Sequence, residues 1–186
     1  MNDETRRRIF EYVRPLAVGL DGVTNYGDAA RAVAAAENLA AKIPGVDRDL
    51  LFLLAVFSGQ EKWVSRMGHG SRTEIFLESL GIARGTIAAL LRGLARLATA
   101  PKTPEERIVH DAVLLDSMGA YGIARLLAEA YRERLDVLEM AAAIEEAAAQ
   151  TFQTEAGQAL AEPRRQAMRA FAARLRQEHA EFGPPP

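Results

Sequence analysis

The chain has 186 residues, enough for one sizeable core, with 49% apolar residues, 26% charged residues and a net charge of -2. That balance excludes a disordered chain, and basic residues scattered over several segments, lysines only at 42, 62 and 102, exclude a nucleic-acid-binding stripe. With no cysteine, disulfides, thiolate metal ligands and cysteine nucleophiles are excluded, and no apolar run reaches membrane-spanning length. The expectation is a cytoplasmic protein with neither nucleic acid nor membrane as partner.

Helical periodicity runs through nearly the whole chain and alternating β-branched runs are missing, so the expected class is all-α. A first amphipathic helix is predicted over Thr5 to Val18, its Arg-rich start forming a solvated face behind Asp3 and Glu4. A second starts near Asp28 and places Ala30, Val33, Ala34, Leu39 and Ile43 near one stripe before Pro44-Gly45 stops it. Asp47 is the expected cap of a third, Leu50 to Phe57, which is apolar on every side and so belongs in the middle of the domain.

The stretch from Gly59 to Gly70 reads as a loop, after which Ser71 and Glu74 form a capping box for a fourth helix closed by Gly81. A fifth helix covers Thr86 to Ala98. Thr103, Pro104 and Glu106 open a sixth, on which residues 108, 109, 112, 113, 115 and 116 straddle the buried side and Asp111 is drawn inward by sharing a face with Leu115. On the same helix His110 sits about 100° from Asp111 and is expected to face a neighbouring helix. Another helix runs from Gly119, and an Ala-rich one over Asp136 to Thr151 offers a close-packing surface to the core or to a second copy in a homodimer. The last is expected from about Glu162 to Glu181 with Met168, Phe171 and Leu175 inward, and residues 183–186 form a frayed tail.

The run EERIVHDAVLLDSMGAYGIARLL resembles the closing motif of the HD-domain metal-dependent phosphohydrolases, which in a bacterial branch reads E-G-x-x-V-x-D-A-D-R-L-D-A-x-G-A-x-G-I-A-R. Glu105, Val109, Asp111, Ala112, Leu115, Asp116, Gly119, Ala120, Gly122, Ile123, Ala124 and Arg125 match it. Thr154, Glu155, Gly157, Ala161, Arg164 and Met168 match the tail of that branch. The resemblance implies a single compact HD-like bundle over residues 1–182, of about eight to ten helices.

It also implies where a metal would be held, since imidazoles and carboxylates together grip divalent ions that activate water and neutralise phosphoryl charge. Asp111 falls at the family's final aspartate, while His110 falls on a variable position, so His110-Asp111 is not the His-Asp doublet. With Trp63 as anchor, the doublet positions fall on Ser58 and Gly59; Asp28 stands at the early histidine, Arg31 at an arginine and Thr24 at a further histidine position. Val113 replaces a second acid.

Such a ligand set implies no cofactor and no strong metal, although weak Mg²⁺ or Mn²⁺ binding by Asp28 and Asp111 stays open. The first functional expectation is a pocket repurposed for metal-independent acid-base chemistry on a small, biosynthetic substrate, with Asp28, Asp111, Lys62 and His69 as catalytic groups and Tyr26, Arg31, Ser58 and Trp63 as binding groups. Asp28 also reads as a helix N-cap, Ser58 as a helix end-cap, Lys62 as half of a solvated pair with Glu61, Trp63 as a core anchor and His69 as a loop histidine between glycines. The alternatives are an inactive relative that binds a ligand or a partner protein, and a residual divalent-metal phosphohydrolase.

Overall fold

A computed structural model describes residues 1–15, 26–41, 43–60, 64 and 69–182, without the side chains of Tyr26, His69 and Phe182. Those residues form α-helices and no strands: α1 Asp3–Val13, α2 Tyr26–Ala40, α3 Arg48–Phe57, α4 His69–Ser79, α5 Arg84–Leu94, α6 Pro104–Asp116, α7 Gly119–Glu133, α8 Val137–Ala148 and α9 Glu155–Phe182. Contacts cluster into two compact units, residues 1–113 and 114–186, with the division inside α6.

In the first unit α3 packs against α1, α2 and α5, and α4 packs against α5. Asp47 caps α3 by accepting from the backbone of Asp49 and Leu50, and every residue from Leu51 to Phe57 is buried. Burying an apolar side chain such as these contributes about 1.5–3 kcal/mol, which makes α3 the centre of this core. Gly93 of α5 lets that helix approach closely, since a Cβ there would lie 2.7 Å from Leu54 Cδ2. Thr103 and Glu106 open α6 as a capping box: Glu106 N donates to the Thr103 hydroxyl at 3.3 Å and Thr103 N donates back to the carboxylate at 3.5 Å. Glu106 also receives two hydrogen bonds from Arg96, at 2.8 and 2.6 Å, and one from Lys102 N at 2.7 Å. Burial pushes its carboxyl upward, but the Arg96 guanidinium and the two backbone amides together hold it below the ordinary range.

In the second unit α9 packs against α8 and α7, which also pack on each other. Asp136 and Glu139 form a capping box at the start of α8, whose Ala141, Ile144 and Ala148 are buried. The turn into α7 depends on glycine twice. Gly119 has φ 72°, and a Cβ on Gly122 would stand 2.0 Å from the carbonyl oxygen of Ser117, a hard overlap with backbone. Arg164 of α9 lies across Gly119 and donates to the carbonyl of Leu115, and Arg125 faces Asp116 at 3.7 Å. Buried Arg165 donates to the carbonyls of Ala148 and Gln150, closing the end of α8.

Several boundaries and orientations differ from the sequence expectations. The described part of α1 is helical only to Val13, and Val18 lies outside the described residues. Helix α2 begins at Tyr26, buries Ala29, Ala32, Val33, Ala36, Leu39 and Ala40, leaves Ala30 and Ala34 exposed, and ends before Ile43. Ser71 is inside α4 rather than its cap, because the helix already starts at His69. Helix α5 spans Arg84–Leu94, beginning and ending earlier than expected, and α8 stops at Ala148. Helix α9 begins at Glu155, where the Thr154 hydroxyl accepts from Gly157 N at 3.0 Å, and continues through Pro163. Met168 is fully buried, whereas Phe171 is 38% exposed, as is Val113 on α6.

Candidate functional site

The aspartates singled out in the sequence both lie in the first unit, on α2 and α6. Asp28 occupies the first turn of α2, two residues inside its start, so it is not the N-cap. An acid there is favoured by the helix dipole, and its side chain forms an ion pair with Arg31 one turn on. The Asp28 side chain is 16% exposed, which leaves little of the carboxylate facing water.

Asp111 is fully buried on α6 between Ile108, Ala112 and Leu115, as the shared face predicts. Its neighbour departs from expectation. Although the two Cα–Cβ bonds diverge by about 100°, the His110 ring turns back so that Nδ1 stands 3.2 Å from Asp111 Oδ1. Side-chain rotation, not position on the helix, decides this contact. Imidazole and carboxylate therefore form an adjacent pair in the middle of α6, with His110 mostly covered.

Ser58 ends α3 and its hydroxyl donates to the Ala55 carbonyl at 2.7 Å, the end-cap reading of that residue. Gly59 follows with φ 82°, a left-handed conformation that turns the chain out of the helix and that glycine adopts without penalty. His69 is the first residue of α4 and so belongs to a helix rather than a loop; its side chain, like that of Tyr26, is outside the described residues. Thr24, Glu61, Lys62 and Trp63 also lie outside them.

Among the described residues no three histidine, aspartate or glutamate side chains are grouped closely enough to hold a metal ion. The donor chemistry agrees: at the positions the resemblance gives to the doublet, Ser58 offers only a neutral hydroxyl and Gly59 no side chain, and Asp28 is joined to a guanidinium. The described residues do not fit a divalent metal of the kind the HD resemblance implies. No described helix is long and apolar enough to cross a membrane.

Comparison of folds places this architecture. No protein-family model matches the sequence, and no curated protein matches it either. Solved structures do match in fold along nearly the full length. The Lin1889 protein of Listeria innocua is 19% identical over 100% of both chains with a TM-score of 0.77. YpgQ of Bacillus subtilis, solved in complex with ADP, is 18% identical over 95% of this chain and 96% of its own, with a TM-score of 0.73. An HD-superfamily hydrolase from Bacillus thuringiensis is 18% identical over 95% of each chain, with a TM-score of 0.67. The all-α fold of this chain matches that of these solved structures, one of them an HD-superfamily hydrolase.

Sequence reasoning missed two features. Glu106 was visible as a capping residue, but its bidentate partner Arg96 comes from the preceding turn and carried no motif of its own. The Arg125–Asp116 contact spans the α6–α7 turn; the pair was legible as matching letters but not as an interaction.

Proposed function

We propose that this chain is an HD-fold binding protein that takes a small phosphorylated ligand of the nucleoside-diphosphate class in its first unit, without metal-dependent hydrolysis. The observation that carries this reading is the internal commitment of two expected ligand positions: Asp28 is paired with Arg31, and the Ser58 hydroxyl is bonded to its own helix. The complex of the Bacillus subtilis neighbour with ADP supports the ligand class.

Arg31 is the cation through which such a ligand is held. Its side chain is 37% exposed, and a guanidinium offers a phosphate two parallel charge-assisted hydrogen bonds in exchange for its bond to Asp28. The sequence offers Tyr26, Lys62 and Trp63 as further binding groups for this ligand. The test is titration of the full chain with ADP in the presence of a chelator. ADP raises the melting temperature without release of phosphate, and Arg31→Gln abolishes the rise. Stoichiometric Mn²⁺ binding that disappears in Asp28→Asn and Asp111→Asn, together with Mn²⁺-dependent phosphate release, overturns the proposal in favour of a phosphohydrolase.

A second reading keeps catalysis without metal, using Asp111, Asp28, Lys62 and His69. The contact of His110 with the buried Asp111 carboxylate favours it, because a carboxylate that orients an imidazole is a recurrent device of acid-base sites. Turnover of a small substrate in chelator, lost in both Asp111→Asn and His110→Gln, selects this reading.

A further inference from the structure

The second unit contains a cleft apart from the positions where the HD resemblance expects a metal. It encloses about 370 Å³, within the range of small-molecule sites, about 300–1,000 Å³. Leu114, Leu126 and Ala147 supply an apolar wall, and two charged side chains of α7, Arg125 and Glu129, line it as well.

Neither group makes a hydrogen bond to a described residue, although Arg125 keeps a long ion pair with Asp116. Arg125 and Glu129 are four apart and share one face of α7, yet they form no ion pair, an order of charges in which the helix dipole gives no help. Arg125 stands 3.7 Å from Asp116, too far for a hydrogen bond, and donates to no other described residue. Glu129, half-buried, has no hydrogen bond or ion pair with a described residue. Partly burying a guanidinium and a carboxylate costs solvation that ordinarily is recovered by pairing. Here both groups line one cleft, and Arg125 is matched only by the long ion pair with Asp116.

We infer that this cleft is a binding site for a small zwitterion with an apolar body, namely a free α-amino acid with an aliphatic side chain. Its carboxylate takes the fork of Arg125, its ammonium donates to Glu129, and its side chain covers Leu114, Leu126 and Ala147. A simple anion would leave Glu129 unpaired beside it, and a simple cation would face the Arg125 charge. The inference rests on the second unit alone and stands apart from the ligand proposed for the first.

The test is calorimetric titration of the full chain with L-leucine, with L-leucinamide, which lacks the carboxylate, and with 4-methylpentanoate, which lacks the ammonium. Leucine binds, and each single-charge analogue binds at least about tenfold more weakly. Glu129→Gln weakens leucine by a similar factor while leaving 4-methylpentanoate unchanged. Arg125→Gln removes binding of leucine and 4-methylpentanoate. Arg125→Gln also loses the contact with Asp116, so Glu129→Gln, which breaks no described interaction, is the variant that decides if the first fails to fold. No binding of leucine by the unmodified chain, equal binding of 4-methylpentanoate, or leucine binding unaffected by Glu129→Gln overturns the inference.

Discussion

The two units bury different chemistry. In the first, Gln60, Thr73, Glu105, Glu106 and Asp111 join the apolar side chains inside, and the buried carboxylates are served by backbone amides, an arginine and a histidine. Among the described residues of the second, the buried polar side chain is Arg165, which serves carbonyls, and close approach is achieved by glycine and alanine. The first unit is therefore specified by satisfied charge and the second by the absence of side-chain bulk. Residues of the HD-like motif fall on both sides of this difference. Gly119, Gly122 and Ile123 have a packing explanation, whereas Asp111, Asp28 and Ser58 carry the question of function in the first unit.

Substitutions can break this contrast, beginning with the largest expected effect. Gly122→Ala puts a methyl group against the Ser117 carbonyl, which is backbone and has nowhere to go; a loss of about 5 kcal/mol or more is expected from such a clash, read by denaturant unfolding. A loss below about 1 kcal/mol would show that the turn is soft and that bulk does not govern the second unit.

Glu106→Gln is expected to cost about 1.5–3 kcal/mol, since it removes the charge from a buried carboxylate whose partner Arg96 is partly exposed and weakens its charge-assisted hydrogen bonds. The pH dependence has a definite sign. The folded-state pKa of Glu106 is lowered, so its contribution is fully present above the ordinary glutamate range and is lost as pH falls through the folded value. Acid titration of stability in the two proteins should therefore converge at low pH; parallel curves would remove Glu106 from the acid response.

Gly93→Ala tests whether bulk also matters in the first unit. The new methyl meets Leu54 at 2.7 Å in a fully buried position, and overpacking of about 1–3 kcal/mol outweighs the helix propensity gained, about 1 kcal/mol. A rise in melting temperature would show that Leu54 has room to move. The smallest effect is a gain: Arg134 ends α7 at φ 58°, and Arg134→Gly removes a left-handed strain at the cost of backbone entropy, for a net stabilisation of about 0.5–1 kcal/mol. Unchanged stability would mean that the arginine side chain offsets its own backbone cost.

What the sequence disclosed follows the range of the forces involved. The burial of α3, the Asp47 cap, the Thr103–Glu106 box and the inward Asp111 depend on neighbours within one or two turns, and each was readable. The direction of the His110 ring was not, because a torsion separates helix position from contact. Phe171 and Val113 sit at the margins of their stripes, where the shape of the partner helix decides exposure. The helix expected from about Glu162 has Pro163 in what would be its first turn, but Thr154 caps α9 nine residues before that proline. The cleft of Arg125 and Glu129 needs Ala147 from another helix, and no local pattern announces it.

The uninterrupted burial of Leu51 to Phe57 has a dynamic consequence. Amide protons along α3 can meet solvent only when the packing of α1, α2 and α5 around it comes apart, so their exchange reports opening of the whole first unit rather than local fraying. Ser58 is attached to that helix, and so the place where the HD resemblance expects its doublet is anchored to a segment whose exposure requires that opening.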